Sequence, residues 1–434
     1  MSKMLFTRDR LKVIFRTLRY RNYRLFFGGQ TISLTGTWIQ QVAVGWLVYR
    51  LTNSPFLLGI VGFVGQVPTF LFSPFAGVFA DRHNRRNMLV ITQALSMVQA
   101  LILAILLLTG HIQVWHIVVL SAALGIINSF DIPIRQAFTV EMIENREDLS
   151  NAIALNSSMV NGARLIGPSI AGILIATVGE GACFLLNAAS YIAVIASLLA
   201  MKVAQKEIKS QNRHIFMELK DGFNYAFHFS PIRIILLLLA LVSLMGVPYQ
   251  VLMPVFAKDI FHGGPNTLGF LVAMSGMGAL AGAIYLAARR NIFGLDRVIA
   301  LSAVIFGIGI IVFSASRVLW FSMLVLLFSG FGMMVQMASS NTILQTIVDE
   351  DKRGRVMSFY TMSFMGMSPF GSLLAGSLAS KIGAPDTLLI GGLCCIVGAI
   401  IFFFKLPSIR TKVHAIYASK GIIPEIAKGI QSAG

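Results

Sequence analysis

The sequence predicts an all-α membrane protein of twelve transmembrane helices in two pseudo-symmetric six-helix bundles. Three observations carry this. Hydrophobic residues make up 56% of the 434 and charged residues only 12%, about half the charge of a soluble domain. The apolar residues gather in continuous runs of spanning length, not in the ~10-residue alternating segments of a barrel. Lysine and arginine, 35 against 18 acids, crowd into alternate connections, as cytoplasmic loops do.

The runs lie near 26–49, 56–80, 88–108, 114–134, 151–178 and 182–201, then 234–256, 268–288, 298–315, 319–339, 356–379 and 388–404. The ninth and twelfth sit at the lower edge of spanning length. The first is too long for the apolar part of a signal peptide and is expected to stay as the first span. With the N-terminus inside, thirty of the 35 Lys and Arg fall at 1–24, 81–87, 134–150, 202–233, 289–297, 340–355 and 405–434. Only Arg50, Lys258, Arg317 and Lys381 lie opposite, and Arg164 lies inside the fifth run. Both termini are therefore expected in the cytoplasm, with the chain in the inner (cytoplasmic) membrane. The net charge of +17 reads as a topology signal. Anionic lipid headgroups, rather than nucleic acid, are the expected partner of the basic N-terminus.

The longest polar stretch divides the runs six and six. The expected organisation is a basic segment and six-helix bundle over 1–201, a cytoplasmic linker over 202–233, a second bundle over 234–406 and a cytoplasmic tail over 407–434. The linker is read as solvated, with 215–229 able to lie as a helix on the membrane surface. The halves repeat. Ser33, Gly36 and Gln40 recur as Ser243, Gly246 and Gln250, Pro55 and Gly59 as Pro265 and Gly269, Gly77 and Arg85 as Gly282 and Arg290, and Pro168 as Pro369. Six-helix repeats flanking a midplane site are the architecture of a rocking secondary transporter.

Enzymatic readings find no support. No G-x-x-x-x-G-K-[ST] phosphate loop occurs, and no Ser/His/Asp or Cys/His constellation is spaced for catalysis or metal. Cys183, Cys394 and Cys395 fall in apolar runs and form no disulfide framework. No cofactor is expected.

Gly77, Asp81, Arg82, Arg85 and Arg86 stand in the spacing G-x-x-x-D-R-x-x-R-R. This closely resembles the helix 2–3 signature of the major facilitator superfamily. The resemblance implies a cytoplasmic latch between the two halves, with Asp131 expected to pair with its arginines. Asn84 stands where that pattern often has Gly, and Leu286 replaces the acid in the second copy. Further stretches narrow the likeness: Gly29-Gln30, Ser33 to Trp38, Trp46 to Thr52, Asp131-Ile-Pro133-Ile-Arg135-Gln136-Ala137-Phe138, Asn161 to Gly172, and Arg353 to Ser358. Together they resemble the branch of enterobactin-type siderophore exporters and macrolide efflux pumps, up to about Phe404. Gly162, Gly167, Pro168 and Gly172 resemble the helix 5 antiporter motif, with Ala171 as a departure.

The resemblance implies a cavity lined mainly by helices 1, 4, 7 and 10. Its candidate substrate contacts are Trp38, Gln40, Gln41, Asn128, Tyr249, Gln250 and Gln336, with Gln66 from helix 2. Arg164 joins them on its own account. It reads as the only cation deep in a span, and such a residue needs a cavity, a partner or substrate. No Asp or Glu lies near the centre of any run, and Thr37 stands where some relatives carry an acid. Proton coupling would therefore fall to Asp81, Asp131 or the substrate. The expected function is export of an amphipathic small molecule of the siderophore or drug class by alternating access, with protons as candidate coupling ion. The alternatives are an importer or flippase of a nutrient or lysophospholipid on the same fold, and a receptor that binds without flux.

Overall fold

The computed structural model describes residues 16–143, 145–201, 225, 227–289, 293–349 and 352–419. Every predicted run is helical there. The helices are α1 Arg21–Thr52, α2 Pro55–Arg82, α3 Arg85–Leu108, α4 Val114–Glu141, α5 Leu149–Val178 and α6 Glu180–Ala200, followed by α7 Ser230–Ile260, α8 Pro265–Ala288, α9 Leu295–Ala315 and α10 Leu319–Ile347. The eleventh, α11, covers 353–382, and α12 is Ala384–Ser419. Ten of these are long and apolar enough to span a membrane by length and composition. The other two are α1 and α11.

Sequence punctuation sets the ends. Ser54 caps α2 by accepting from the Leu57 N–H, with Pro55 in its first turn, and Asn84 caps α3 by accepting from the Asn87 N–H. Several helices outrun their apolar cores. Helix α4 continues to Glu141, so Arg135, expected in a loop, sits within the helix. Helix α12 continues past Pro407 to Ser419. Two runs expected as plain helices contain π turns. Helix α7 has them at Val242–Gly246 and Phe256–Ile260, and α11 at Met362–Gly366. Such turns often mark functional positions. Most of the linker, including most of the expected surface helix, lies outside the described residues, as do 1–15 and 420–434.

The chain forms two compact units. The first joins Met1–Gln211 to Gln250–Gly276 and Ser372–Ala384. In it α1 packs on α5 and α6, α3 packs on α6 and α4, and α2 packs on α4. Its core runs through Tyr23, Phe26, Leu89, Ile134, Phe138, Tyr191 and Val194, all buried. A polar chain ties four helices. Gln40 donates to Gln99 at 3.0 Å, Asn187 donates to Gln40 at 2.7 Å, and Gln99 donates to the Leu120 carbonyl at 3.2 Å. In an apolar interior such groups are costly unless paired, and here they specify one arrangement of α1, α3, α4 and α6.

The second unit holds Asn212–Tyr249, Met277–Gly371 and Pro385–Gly434. Helices α9 and α10 form its tightest pair. The two π turns Val242–Gly246 and Met362–Gly366 meet there, where the Ser243 hydroxyl donates to the Phe364 carbonyl. Asp296 pairs with Arg410 at 2.5 Å, fixing the extended end of α12 to the start of α9.

A 3-10 turn over Arg16–Arg19 precedes α1 and is clamped to Asp148, just before α5. The Tyr20 hydroxyl donates to Asp148 Oδ2 at 2.7 Å, Arg16 Nε lies 2.6 Å from Oδ1, and Arg19 Nη2 lies 2.8 Å from Oδ2. The Tyr20 hydrogen bond first, and then the two guanidinium charges, hold the Asp148 carboxyl below the usual carboxylate range. A lowered folded value contributes stability that is complete above the ordinary value of about 3.9 and fades as pH falls through the lower one. The turn is therefore expected to stay docked from neutral to mildly acid pH and to leave only in strong acid. Asp148→Asn should release it at neutral pH. Amide hydrogen exchange at residues 17–20 checks both outcomes.

Candidate functional site

The end of the first unit that carries the α1–α2 turn, here called the distal end, is held by three seams. Tyr49 of α1, 2% exposed, donates its hydroxyl to Asp259 of α7. Lys258 lies over the Tyr49 ring at 5.6 Å and donates to Asn53 Oδ1 at 2.6 Å. Helices α2 and α11 touch through backbone: a Cβ added at Gly376 would lie 2.7 Å from both the Gly59 Cα and the Pro55 carbonyl. Helices α5 and α8 do the same: a Cβ at Gly269 would lie 2.6 Å from the Pro168 carbonyl and 3.0 Å from the Gly172 Cα. Small residues permit such approach, and nothing larger fits without moving a helix. Gly172 and Pro168 of the helix 5 motif thus have a concrete contact. Gly167 packs instead against the Trp38 Cβ, and Gly162 faces open space.

One pair of candidate substrate contacts meets. The Arg164 guanidinium of α5 lies 5.7 Å from the Trp38 ring centre of α1, within cation–π range. Both are half-buried. Gln41 and Gln66 are exposed, and Asn128 and Gln250 are half-buried. Gln40 is 3% exposed with both amide atoms engaged in the α1–α3–α6 chain described above, which makes it a strut of the bundle. Tyr249 is fully buried against Phe306 at 5.9 Å in the second unit. Gln336, 1% exposed, and Ser339 have a side-chain Nε2 and an Oγ without hydrogen-bond partners among the described residues. Sequence reading passed over the polar face of α5, where Ser157 and Ser158 are exposed and Asn161 is half-buried one turn before Arg164. Its signal was the spacing of polar residues at one helical turn within an apolar run.

Among the latch residues, the side chains of Arg85, Arg86 and Asp131 are described. Arg85 Nη1 lies 2.6 Å from Glu141 Oε1, an acid that the sequence reading did not single out. Arg86 donates to the Leu198 and Leu199 carbonyls at 2.6 and 2.7 Å, where a cation suits the C-terminal end of α6. Asp131 meets neither. Its Oδ1 accepts from Thr92 Oγ1 at 2.8 Å and from Gln93 Nε2 at 2.7 Å, and its Oδ2 faces Arg135 Nε at 3.6 Å. The reason is depth: Asp131 lies ten residues before Glu141, about 15 Å along α4. Arg135 consequently lies within a helix, six residues before its end, and not in a loop. The side chains of Gly77, Asp81 and Arg82 lie outside the described residues.

Among the described residues no cluster of His, Cys, Asp or Glu is placed to hold a metal. Long apolar helices, Gly-mediated seams at one end of the first unit and an arginine within α5 have the build of a transporter. The family profile described as "Transmembrane secretion effector" matches residues 14–425. The chain belongs to this family. It is a major facilitator transporter that works by alternating access, not an enzyme. It is 28% identical over 396 residues to the Staphyloferrin A transporter of Staphylococcus aureus, covering 90% of this chain and 98% of that one. It is 24% identical over 396 residues to Macrolide efflux protein A of Streptococcus pyogenes, covering 88% and 96%. A crystal structure of a POT family transporter in complex with 5-aminolevulinic acid superposes with a TM-score of 0.73 at 11% identity, covering 90% of this chain and 96% of that one, which shows the shared fold.

For the latch, Asp81→Asn keeps side-chain shape and removes charge. Transport is expected to slow several-fold while membrane insertion stays near wild type, because residue 81 is at the end of α2. Initial rates in vesicles, normalised to inserted protein, measure this. Wild-type rates in the variant would show that no charged latch is needed.

Proposed function

We propose that this protein exports an amphipathic small molecule of the drug or siderophore class from the cytoplasm, with protons as the exchanged ion. The observation that carries the reading is the Arg164–Trp38 pair. It offers a guanidinium and an indole face on two helices of one unit. Placing an arginine at such depth costs roughly 2.5–3.5 kcal/mol, so its retention asks for a compensating role. A guanidinium beside an aromatic face suits an electron-rich or acidic group attached to an apolar body. The exposed polar face of α5 supplies neighbouring hydrogen-bonding groups. The similarity to a Staphyloferrin A transporter and to Macrolide efflux protein A supports the two substrate classes. The organisation expected from the sequence, with two bundles, a cytoplasmic linker and tail, and both termini in the cytoplasm, belongs to the same reading.

The test compares inside-out with right-side-out vesicles. Labelled erythromycin, a catecholate siderophore and ethidium are offered to each. Accumulation in inside-out vesicles, abolished by collapsing the proton gradient, is the expected result. Accumulation only in right-side-out vesicles would favour the importer on the same fold.

A further inference from the structure

We propose that the second unit holds an internal hydration site: water bridges the side chains of Gln336 and Ser339 on α10, and reaches them from a cavity beside the Asp296–Arg410 pair.

Helix α10 carries six Ser and Thr residues. Five of their hydroxyls donate, Ser322 to Ser316, and Ser329, Ser340, Thr342 and Thr346 to the carbonyl four residues back. Ser339 is the exception. Its Oγ has no partner among the described residues, and neither has the Nε2 of Gln336. The two residues are 0% and 1% exposed. Three apart, they are neighbours on one face of the helix. Polar groups left unpaired at such depth are costly, and native structures nearly always satisfy them with protein or ordered water.

Helix α9 supplies no partner. Gly332, one turn before Gln336, packs against it: a Cβ there would lie 2.8 Å from the Ser302 carbonyl and 2.9 Å from the Phe306 N. Gln336 and Ser339 continue that stripe toward the start of α9. Over 295–306 the polar side chains of α9 are Asp296, paired with Arg410, Arg297, which is exposed, and Ser302, whose hydroxyl goes to the Val298 carbonyl. The internal repeat sharpens the contrast. Helices α4 and α10 start at Val114 and Leu319, which sets Gln336 at the register of Asp131. In the first unit Thr92 and Gln93 of α3 donate to that position. The second unit keeps a polar residue there without such donors on the facing helix.

The cavity gives the source of water. It is lined by Leu295, Asp296, Ile343, Arg410, Val413 and Tyr417, among others, and has about 20 Å³ of room. One water needs ~10–15 Å³. Ile343 stands four residues beyond Ser339 on the same stripe of α10, a distance of ~6 Å along the helix. A water between the pair accepts from the Gln336 amide and bonds the Ser339 hydroxyl, two of the 2–4 polar partners such a molecule needs. The site lies within the second unit and is independent of the Arg164–Trp38 reading.

The experiment uses the full chain in nanodiscs and X-ray radiolytic footprinting, in which bound internal water generates hydroxyl radicals in place and marks the side chains beside it. Met333 is 3% exposed and three residues from Gln336, whereas Met253 is fully buried. In wild type Met333 is expected to oxidise several times faster than Met253. Ser339→Ala, and Gln336→Leu with an apolar side chain of similar volume, should each bring Met333 down to the Met253 rate. Each should also lower the melting temperature by ~2–4 °C. The double variant should melt no lower than the worse single one, since both side chains serve one water. Equal rates for Met333 and Met253 in wild type overturn the site, and this comparison stands even where a variant fails to insert. Variants that melt at or above wild type with additive shifts also overturn it, because two polar groups buried without any partner would behave so. A wild-type melting temperature raised by sodium chloride and not by choline chloride would put a cation there in place of water, and overturns it as well.

Discussion

Replacing Gly376 or Gly269 by valine is expected to cut transport at least tenfold while leaving the protein inserted and monodisperse. The new Cβ at Gly376 would stand 2.7 Å from the Gly59 Cα and the Pro55 carbonyl, and that at Gly269 would stand 2.6 Å from the Pro168 carbonyl. These are backbone atoms, so no rotamer change relieves the clash and a helix must move. Overpacking of this kind typically costs ~1–3 kcal/mol, enough to disfavour the closed distal end without unfolding a bundle held by many other contacts. A transporter that cannot close one end binds substrate and does not cycle. Spin labels at positions 53 and 258, beside the Lys258–Asn53 hydrogen bond, should move apart in both variants. Unchanged transport with an unchanged label distance would remove the seams from the mechanism.

Arg164 gives the second large effect. Arg164→Lys keeps the charge and loses the planar fork, and should weaken binding of substrates with acidic or electron-rich groups. Arg164→Met removes the charge at similar length and should abolish their transport. Membrane insertion should survive, since an apolar side chain is favoured at that depth. The discriminating readout is thermal stability in detergent. If binding falls while the melting temperature holds or rises, the arginine serves substrate. If binding is normal and the melting temperature drops sharply, Arg164 is a strut between α1 and α5, held by the Trp38 ring.

The helices themselves were legible because a membrane span must be apolar over about 20 residues and its caps are local. Apolarity alone placed two starts at 56 and 88, and the caps Ser54 and Asn84 put them at Pro55 and Arg85. The π turns in α7 and α11 were not legible, since an extra residue in a helical turn leaves no mark in an apolar run. The end of α4 was misplaced for a related reason. Apolarity faded near residue 134, yet the helix continued beyond the apolar stretch to Glu141, which turned Arg135 from a loop residue into an intrahelical one. The Asp131 partnership followed the same error. Topological closeness to the basic loop suggested its arginines, whereas depth along α4 set Thr92, Gln93 and Arg135 against it. Trp38 and Arg164 were each singled out separately, but nothing in the chain announced that they would meet. Gln40 looked like a cavity residue because polar residues in spans often are. Its two partners, Gln99 and Asn187, lie 59 and 147 residues away, and only the packed bundle reveals them.

Counterflow tests the central claim most directly. Purified protein in liposomes preloaded with unlabelled erythromycin is diluted into labelled erythromycin, without any ion gradient. A carrier that alternates access exchanges one for the other, so labelled compound should transiently accumulate above its equilibrium level, and Gly376→Val should erase the overshoot. Saturable binding of erythromycin without any overshoot in the wild type would contradict the account and leave a binding protein on a transporter fold.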